Sequence, residues 1–200
     1  MCKGVPKTIF FVKKIAIFAS GSGTNAENIA KYFSESQQLQ VDSIWTNNPR
    51  AGVIERMKPY GCPVFVFNKT DFNSGKVLSQ IQERGIDGIV LAGFLLLISA
   101  AFVEAFPNQI INIHPALLPK YGGKGMYGSR VHEAVHQQGD KQTGITIHYV
   151  NEHYDEGGII HQASVALDSN DTPETIAQKV HQLEYKHFPQ TIEKIFMRHV

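Results

Sequence analysis

Lys14–Ala26 reads KIAIFASGSGTNA, and its two halves follow different periodicities. Ile15, Ala16, Ile17 and Phe18 form a short unbroken apolar run, as in a strand covered on both faces. Ser20-Gly21-Ser22-Gly23 then breaks the chain as a glycine turn. From Asn25 to Ser34 the apolar residues Ala26, Ile29, Ala30 and Phe33 recur at helical spacing on one face. A strand, a glycine turn and a helix in succession open a βαβ unit, which predicts a parallel sheet with crossover helices.

The same alternation continues downstream. Val41–Thr46 reads as a second strand and Pro49–Lys58 as a helix opened by proline. Val64–Phe67 is a third strand, and Val77, Leu78 and Ile81 mark a helix ending near Gly85. Strands are predicted at Ile86–Ala92 and Ile110–His114, with a short helix at Ser99–Phe106 between them. Beyond a glycine-rich loop, Val131–Gln138 is helical and Gly144–Val150 and Ile159–Val165 are strands. Asp171-Thr172-Pro173-Glu174 is a helix start, with proline at the first position and an acid near the positive end. Ile176, Val180 and Leu183 continue that helix, which Pro189 is expected to kink or split. With no repeat, linker or low-complexity tract, residues 1–200 are expected to form one α/β domain, residues 1–13 being an N-terminal extension. Its sheet is open and mostly parallel, with helices on both faces.

A chain of 200 residues, 42% hydrophobic and 18% charged, is long enough for one well-buried core. Its net charge of +1 exerts no general pull on nucleic acid or an anionic membrane, so an anionic ligand must be held by local geometry. Cys2 and Cys62 form neither a disulfide framework nor a metal cluster, and fit a reducing, cytoplasmic compartment. No apolar run approaches a membrane span, and Ile9–Val12 is too short and too flanked by lysine for a signal peptide.

Three motifs carry chemistry. The turn Gly21-Ser22-Gly23-Thr24-Asn25 offers backbone N–H groups and a helix N-terminus to an anion. It also matches the relaxed dinucleotide pattern, but that reading needs an acid at the end of the second strand, where Trp45-Thr46-Asn47-Asn48 stands instead. A purely structural glycine turn is the plain alternative. His132-Glu133-Ala134-Val135-His136 matches the zinc-protease string, yet Gln142 occupies the third-histidine position, and an ordinary helix with its histidines toward water accounts for it. Asn112-Ile113-His114-Pro115 ends the fifth strand, where open α/β sheets place their ligands, with Asn112 and His114 on one face. Asp155, before Gly157-Gly158, sits where a turn can fold its carboxylate back toward the strand ends. Taken alone, Asn112 and His114 are also compatible with merely satisfying the strand end.

KIAIFASGSGTN, IVLAGFLLLIS, IINIHPALLPKYGG, GITIHYV and the Asp155 loop occur in an order that resembles the folate-dependent formyltransferases acting on glycinamide ribonucleotide. The resemblance runs from about Lys14 onward. It implies a Rossmann-like domain that moves a formyl group from 10-formyltetrahydrofolate to the amine of N1-(5-phosphoribosyl)glycinamide in purine biosynthesis, with no metal. By that likeness Asn112, His114 and Asp155 form the reaction centre, supported by His148. Gly21, Ser22, Gly23, Thr24 and Asn25 hold the substrate phosphate, and Glu184 contacts the ribonucleotide. Leu95, Leu96, Leu97 and Ile98, with Asn151, Glu152, His153 and Tyr154, shape the folate pocket. The two small molecules are the expected partners, with neither nucleic acid nor membrane, for a monomer or homodimer.

The chain departs from the family pattern in three places. Leu95-Leu96-Leu97 stands where an arginine is common, and Gly75 or Lys76 where another arginine faces the folate tail. The loop 121–129 is longer and richer in glycine. A formyltetrahydrofolate deformylase, which uses water as acceptor, and a non-catalytic folate- or nucleotide-binding module are the competing readings. A tRNA-directed formyltransferase fits poorly, because the chain is not basic.

Overall fold

The computed structural model describes residues 12–197; Cys2 and residues 1–11 of the expected N-terminal extension lie outside them. Seven strands form one sheet: β1 (Lys13–Phe18), β2 (Leu39–Thr46), β3 (Val64–Val66), β4 (Gly88–Leu91), β5 (Ile110–His114), β6 (Gln142–Tyr149) and β7 (Ile159–Ala166). Their order is β3-β2-β1-β4-β5-β6-β7. The first five pair in parallel, and β6 and β7 add an antiparallel edge.

Alternation along the strands assigns each face. Ile15, Ile17, Val90, Ile111, Ile145 and Ile147 face a cluster completed by α1 (Thr24–Tyr32), α2 (Val53–Arg56), α6 (Ser129–Gln138) and α7 (Pro173–Phe196). Ala16, Phe18, Trp45, Ile89 and Leu91 face the opposite side, packed by α3 (Lys69–Asn73), α4 (Lys76–Glu83) and α5 (Ala100–Ala105). The sheet is thus covered on both faces, as the apolar runs of β1 and β4 predict.

Most element ends shift by one or two residues, α3 is an element the sequence reading did not expect, and the effects of Pro49 and Pro189 differ from that reading. The helix expected over Pro49–Lys58 is reduced to α2, followed by a 3-10 turn at Lys58–Tyr60. Asn48 Oδ1 accepts from Arg50 N at 2.9 Å, and its carbonyl accepts from Ala51 N at 3.0 Å, so Pro49-Arg50 are spent on an Asx-type turn. Pro189 does not split α7, which continues to Phe196. Proline removes the N–H that the Tyr185 carbonyl would accept, but Asn28 Nδ2 on α1 donates to that carbonyl at 2.9 Å. At the other end of α7, Thr172 caps the helix with Pro173 at its first turn, as read from the sequence.

The strand order reverses between β1 and β4, which opens a crevice at their carboxyl ends. Ser20 ties its two sides together: its N–H donates to the Gly93 carbonyl at 3.0 Å, and its hydroxyl accepts from Leu95 N at 3.1 Å.

Candidate active site

A cavity of about 630 Å³ occupies this crevice. One end is the glycine turn. Gly23 is the N-cap of α1 at φ 79°, a left-handed conformation suited to glycine, and among the described residues no side chain caps that helix start. A Cβ on Gly23 would stand 2.5 Å from Val53 Cγ2. The carbonyls of Gly21 and Ser22 are turned back onto Val53 N (3.2 Å) and Arg56 Nε (2.9 Å). An uncapped helix start with its carbonyls directed away has the polarity to accept an anion.

The other end is built on the antiparallel pair. Asn112 on β5 stands directly opposite His148 on β6, and Asn112 Nδ2 lies 3.0 Å from His148 Nε2. His148 Nδ1 is 2.8 Å from the Tyr149 carbonyl, an oxygen that only accepts, so the proton of this ring is on Nδ1 and Nε2 accepts from Asn112. Asp155 adopts φ 58°, and its loop folds back as the glycines predict. A Cβ at Gly157 would overlap the Tyr149 carbonyl. Asp155 Oδ1 accepts a long bond from Asn112 Nδ2 at 3.4 Å, and Oδ2 accepts from Gly123 N at 2.9 Å.

His114 is 3% exposed. Its Nε2 is 2.8 Å from the Tyr121 carbonyl and its Nδ1 is 3.5 Å from Asp155 Oδ2. Burial pushes its pKa down, and the opposing pull of the Asp155 charge and the Tyr121 carbonyl does not restore it. The neighbouring carboxylate therefore favours the imidazolium, but burial outweighs it. Burial alone would raise the Asp155 carboxyl; the His148 ring, whose Nε2 lies 3.6 Å from Oδ1, the His114 charge and the Gly123 N–H together hold it below its ordinary value.

Between the two ends lies a polar cluster. Glu184 Oε2 accepts from Asn25 Nδ2 at 2.9 Å and from His181 Nδ1 at 2.8 Å. The Glu184 bond raises the pKa of His181. His132 contradicts the expectation that both α6 histidines face water: His136 is exposed, but His132 is 4% exposed and lines the cavity. It faces inward because Val131, His132 and Val135 share the buried side of α6. Burial, then the His181 charge, pushes its pKa down. His132 Nδ1 and Asn25 Oδ1 are buried polar atoms without a hydrogen-bond partner among the described residues. Native interiors rarely leave such atoms unpaired, and both lie on residues lining the cavity, where a ligand would meet them.

The glycine-turn residues Gly21, Ser22, Gly23, Thr24 and Asn25 line one cavity with Asn112, His114, Asp155 and Glu184. Of the segments assigned to folate, Leu95 and Tyr154 line it, whereas Leu96, Leu97, Asn151, Glu152 and His153 do not. Ile98 is 2% exposed and packs in the core, with its side chain unavailable to a ligand. The sequence reading missed His132, His181, Lys124 and Arg130, which also line the cavity. The inward histidine had a signal, since position 132 lies beside Val131 and one turn from Val135 on an apolar stripe. Lys124 and Arg130 had none, because only the fold brings the glycine-rich loop that carries Lys124 and the first turn of α6 that carries Arg130 against the crevice.

Comparison with known proteins agrees with this geometry. The profile of the Formyl transferase family matches residues 13–192. The phosphoribosylglycinamide formyltransferase of Bacillus subtilis is 37% identical over 191 residues, covering 92% of this chain and 95% of that protein. The chloroplastic enzyme of Arabidopsis thaliana is 40% identical over 190 residues; the match covers 92% of this chain but 65% of that longer protein. The crystal structure of phosphoribosylglycinamide formyltransferase from Bacillus halodurans superposes with a TM-score of 0.82 at 37% identity, covering 91% of this chain and 94% of that one. The chain therefore belongs to the formyl transferase family.

Proposed function

We propose that this protein transfers the formyl group of 10-formyltetrahydrofolate to the amine of N1-(5-phosphoribosyl)glycinamide, a step of purine biosynthesis. The observation that carries the reading is that one cavity joins an uncapped helix start to the Asn112, His114 and Asp155 cluster. A ligand with a phosphate at one end and a nucleophilic amine at the other matches that polarity. Its sugar would lie against Glu184, Asn25 and His132, where the unpartnered Asn25 Oδ1 and His132 Nδ1 await hydroxyl partners. Glu184 Oε1 takes no part in the Asn25 and His181 bonds and is the natural acceptor for a sugar hydroxyl. Leu95, Met126 and Tyr154 give the remaining wall the apolar and aromatic character that a pteridine requires. Lys124 and Arg130 on that lining can take over charge contacts that Leu95-Leu96-Leu97 cannot make.

The folate donor supplies an already activated formyl carbon, so the protein's task is positioning and proton handling. Asn112 Nδ2 is the donor for the oxygen on which negative charge develops, and its 3.4 Å contact with Asp155 is the weaker of its two bonds and the one to yield. Asp155, ionised, accepts the proton shed by the attacking amine, directly or through a water. His114 enters neutral, with Nδ1 facing that carboxylate, and takes up and returns the proton as the folate nitrogen departs. A cytoplasmic setting and a monomeric or homodimeric state belong to the same proposal. Among the described residues, no helix is long and apolar enough to cross a membrane.

A steady-state assay with both substrates and EDTA, following tetrahydrofolate release, tests the reading. Release that depends on the ribonucleotide and survives the chelator supports it. Release without the ribonucleotide would replace it with a deformylase. Ligand binding without any turnover would leave a binding module.

A further inference from the structure

α6 begins at Gly128, at φ 56°, and among the described residues no side chain caps its start. Gly128, Arg130 and His132 line the cavity. Side chains on a helix lean toward its N-terminus, so the inward ring of His132 marks where that first turn lies. It lies beside α7 and α1. The His132 ring centre is 6.5 Å from that of His181, whose Nδ1 is 2.8 Å from Glu184 Oε2. The same oxygen accepts from Asn25 Nδ2, on the first turn of α1. Two uncapped helix starts therefore converge on one end of the cavity, each bringing free backbone N–H groups and the positive end of its dipole.

Arg130 adds a full charge to this end. Arg56 and Arg84 are each paired with a carboxylate, Glu27 and Asp42, whereas Arg130 has no such partner among the described residues. Its guanidinium lies over the Tyr127 ring, 5.0 Å from the ring centre. Stacking occupies the face of the guanidinium and leaves its in-plane N–H groups free, the edge that meets two oxygens of a phosphate or carboxylate side by side. The Glu184 carboxylate nearby is already engaged by Asn25 and His181. His132, 4% exposed, keeps an Nδ1 without a partner among the described residues, and such an atom points to a polar ligand at this end.

The reaction proposed above offers two anions to this wall, the phosphate of the ribonucleotide and the glutamate carboxylates of the folate donor. Position decides between them. Arg130 shares its turn with His132, at the α1 and α7 end, while Leu95 and Tyr154 line the donor side. We propose that Arg130 and the start of α6 form a second wall of the phosphate site, across from the glycine turn, and that Arg130 makes the protein selective for a phosphorylated acceptor. The glycine turn supplies only neutral N–H groups, and a chain of net charge +1 supplies no general field, so a full positive charge at this end has to come from a side chain. The inference rests on the ribonucleotide reading above.

The test compares the wild type with Arg130→Gln and Arg130→Lys in two readouts. The first is calorimetric binding of ribose 5-phosphate, which needs no turnover. The second is steady-state kinetics with the ribonucleotide and with its unphosphorylated counterpart, N1-ribosylglycinamide. In Arg130→Gln the Kd of ribose 5-phosphate and the KM of the ribonucleotide both rise about ten-fold. Its kcat, its KM for the donor and its kcat/KM for the unphosphorylated acceptor stay within about two-fold of wild type. Arg130→Lys recovers only part of the loss, because an ammonium cannot meet two oxygens in one plane. Constants unchanged in Arg130→Gln, or equal losses for both acceptors, would overturn the proposal. A rise confined to the donor KM would also overturn it and assign Arg130 to the glutamate carboxylates. Arg130 is exposed, so both variants are expected to keep the wild-type urea midpoint. Ribose 5-phosphate binding that depends on Arg130, in a protein that transfers no formyl group, would refute the proposed function while leaving the phosphate site standing.

Discussion

His114 Nδ1 and Asp155 Oδ2 stand 3.5 Å apart with the ring kept neutral by burial and the carboxylate held ionised by its donors. A ring nitrogen faces a negative oxygen across a gap that one proton would fill. Catalysis in this arrangement is sensitive to pH on the acid side, since protonating the ring before substrate arrives removes the proton acceptor. The acid limb of kcat/KM is therefore expected below the ordinary histidine value of about 6.5. Asp155→Asn removes the charge that opposes burial, so the limb moves to still lower pH as the rate falls about 100- to 10,000-fold. A limb that stays in place in this variant would show that it reports another group.

Asn112→Ala removes the donor proposed for the developing oxyanion and is expected to lower kcat by about 100- to 1000-fold with little change in either KM. Turnover within a few-fold of wild type would remove Asn112 from that role.

Gly23→Ala places a methyl against Val53 at a left-handed backbone position. Overpacking and backbone strain together are expected to cost about 2–4 kcal/mol. The displaced turn should also raise KM for the phosphate-bearing substrate while leaving that for folate nearly unchanged. A denaturation midpoint equal to wild type would contradict the contact.

Asn28 on α1 satisfies the carbonyl that Pro189 leaves free on Tyr185. Asn28→Ala should cost about 1–3 kcal/mol, the penalty for an orphaned carbonyl. Pro189→Ala supplies the missing N–H from within the helix, so the same substitution should cost clearly less in that background. Denaturant midpoints of the four proteins in a double-mutant cycle measure the coupling, and strict additivity would show that the Asn28 bond is not what compensates the proline.

Stability should also follow the histidines. His114, His132 and His187 all have folded pKa values below the ordinary value, burial being the first cause in each. Their contribution is fully present above about pH 6.5 and is lost as pH falls through the lower folded values. His181, raised by Glu184, works in the opposite sense: its contribution is present below pH 6.5 and is lost as pH rises through its folded value. Below about pH 6.5 the His181 contribution stays constant, so the three depressed histidines should lower the urea midpoint as pH falls, and His132→Gln should flatten that decline. A decline of equal slope in the variant would exclude His132 as a contributor.

Much of this molecule was legible in the sequence, because periodicity and turn chemistry are local. KIAIFASGSGTNA predicted a buried strand, a turn and a helix, and β1, the Gly23 turn and α1 occupy those positions. Asn112 and His114, two residues apart at a strand end, had to share a face. The pair Gly157-Gly158 marked a sharp turn beside Asp155. Where the structure departs from that reading, another residue overrode the rule for the proline. Pro189 does not split α7 because Asn28, far away in the chain, supplies a substitute donor. Pro49 does not open a helix because Asn48 captures the backbone first.

The site itself was decided by tertiary structure. No spacing rule shows that His132 turns inward, that Glu184 meets Asn25 across two helices, or that the Tyr121 carbonyl comes within 2.8 Å of His114 Nε2. The sequence determined which chemical groups are present and which secondary elements carry them, since both depend on neighbours along the chain. Their protonation and orientation depend on burial and on groups that only the folded chain brings within 3–4 Å, where desolvation of His114 outweighs the attraction of Asp155.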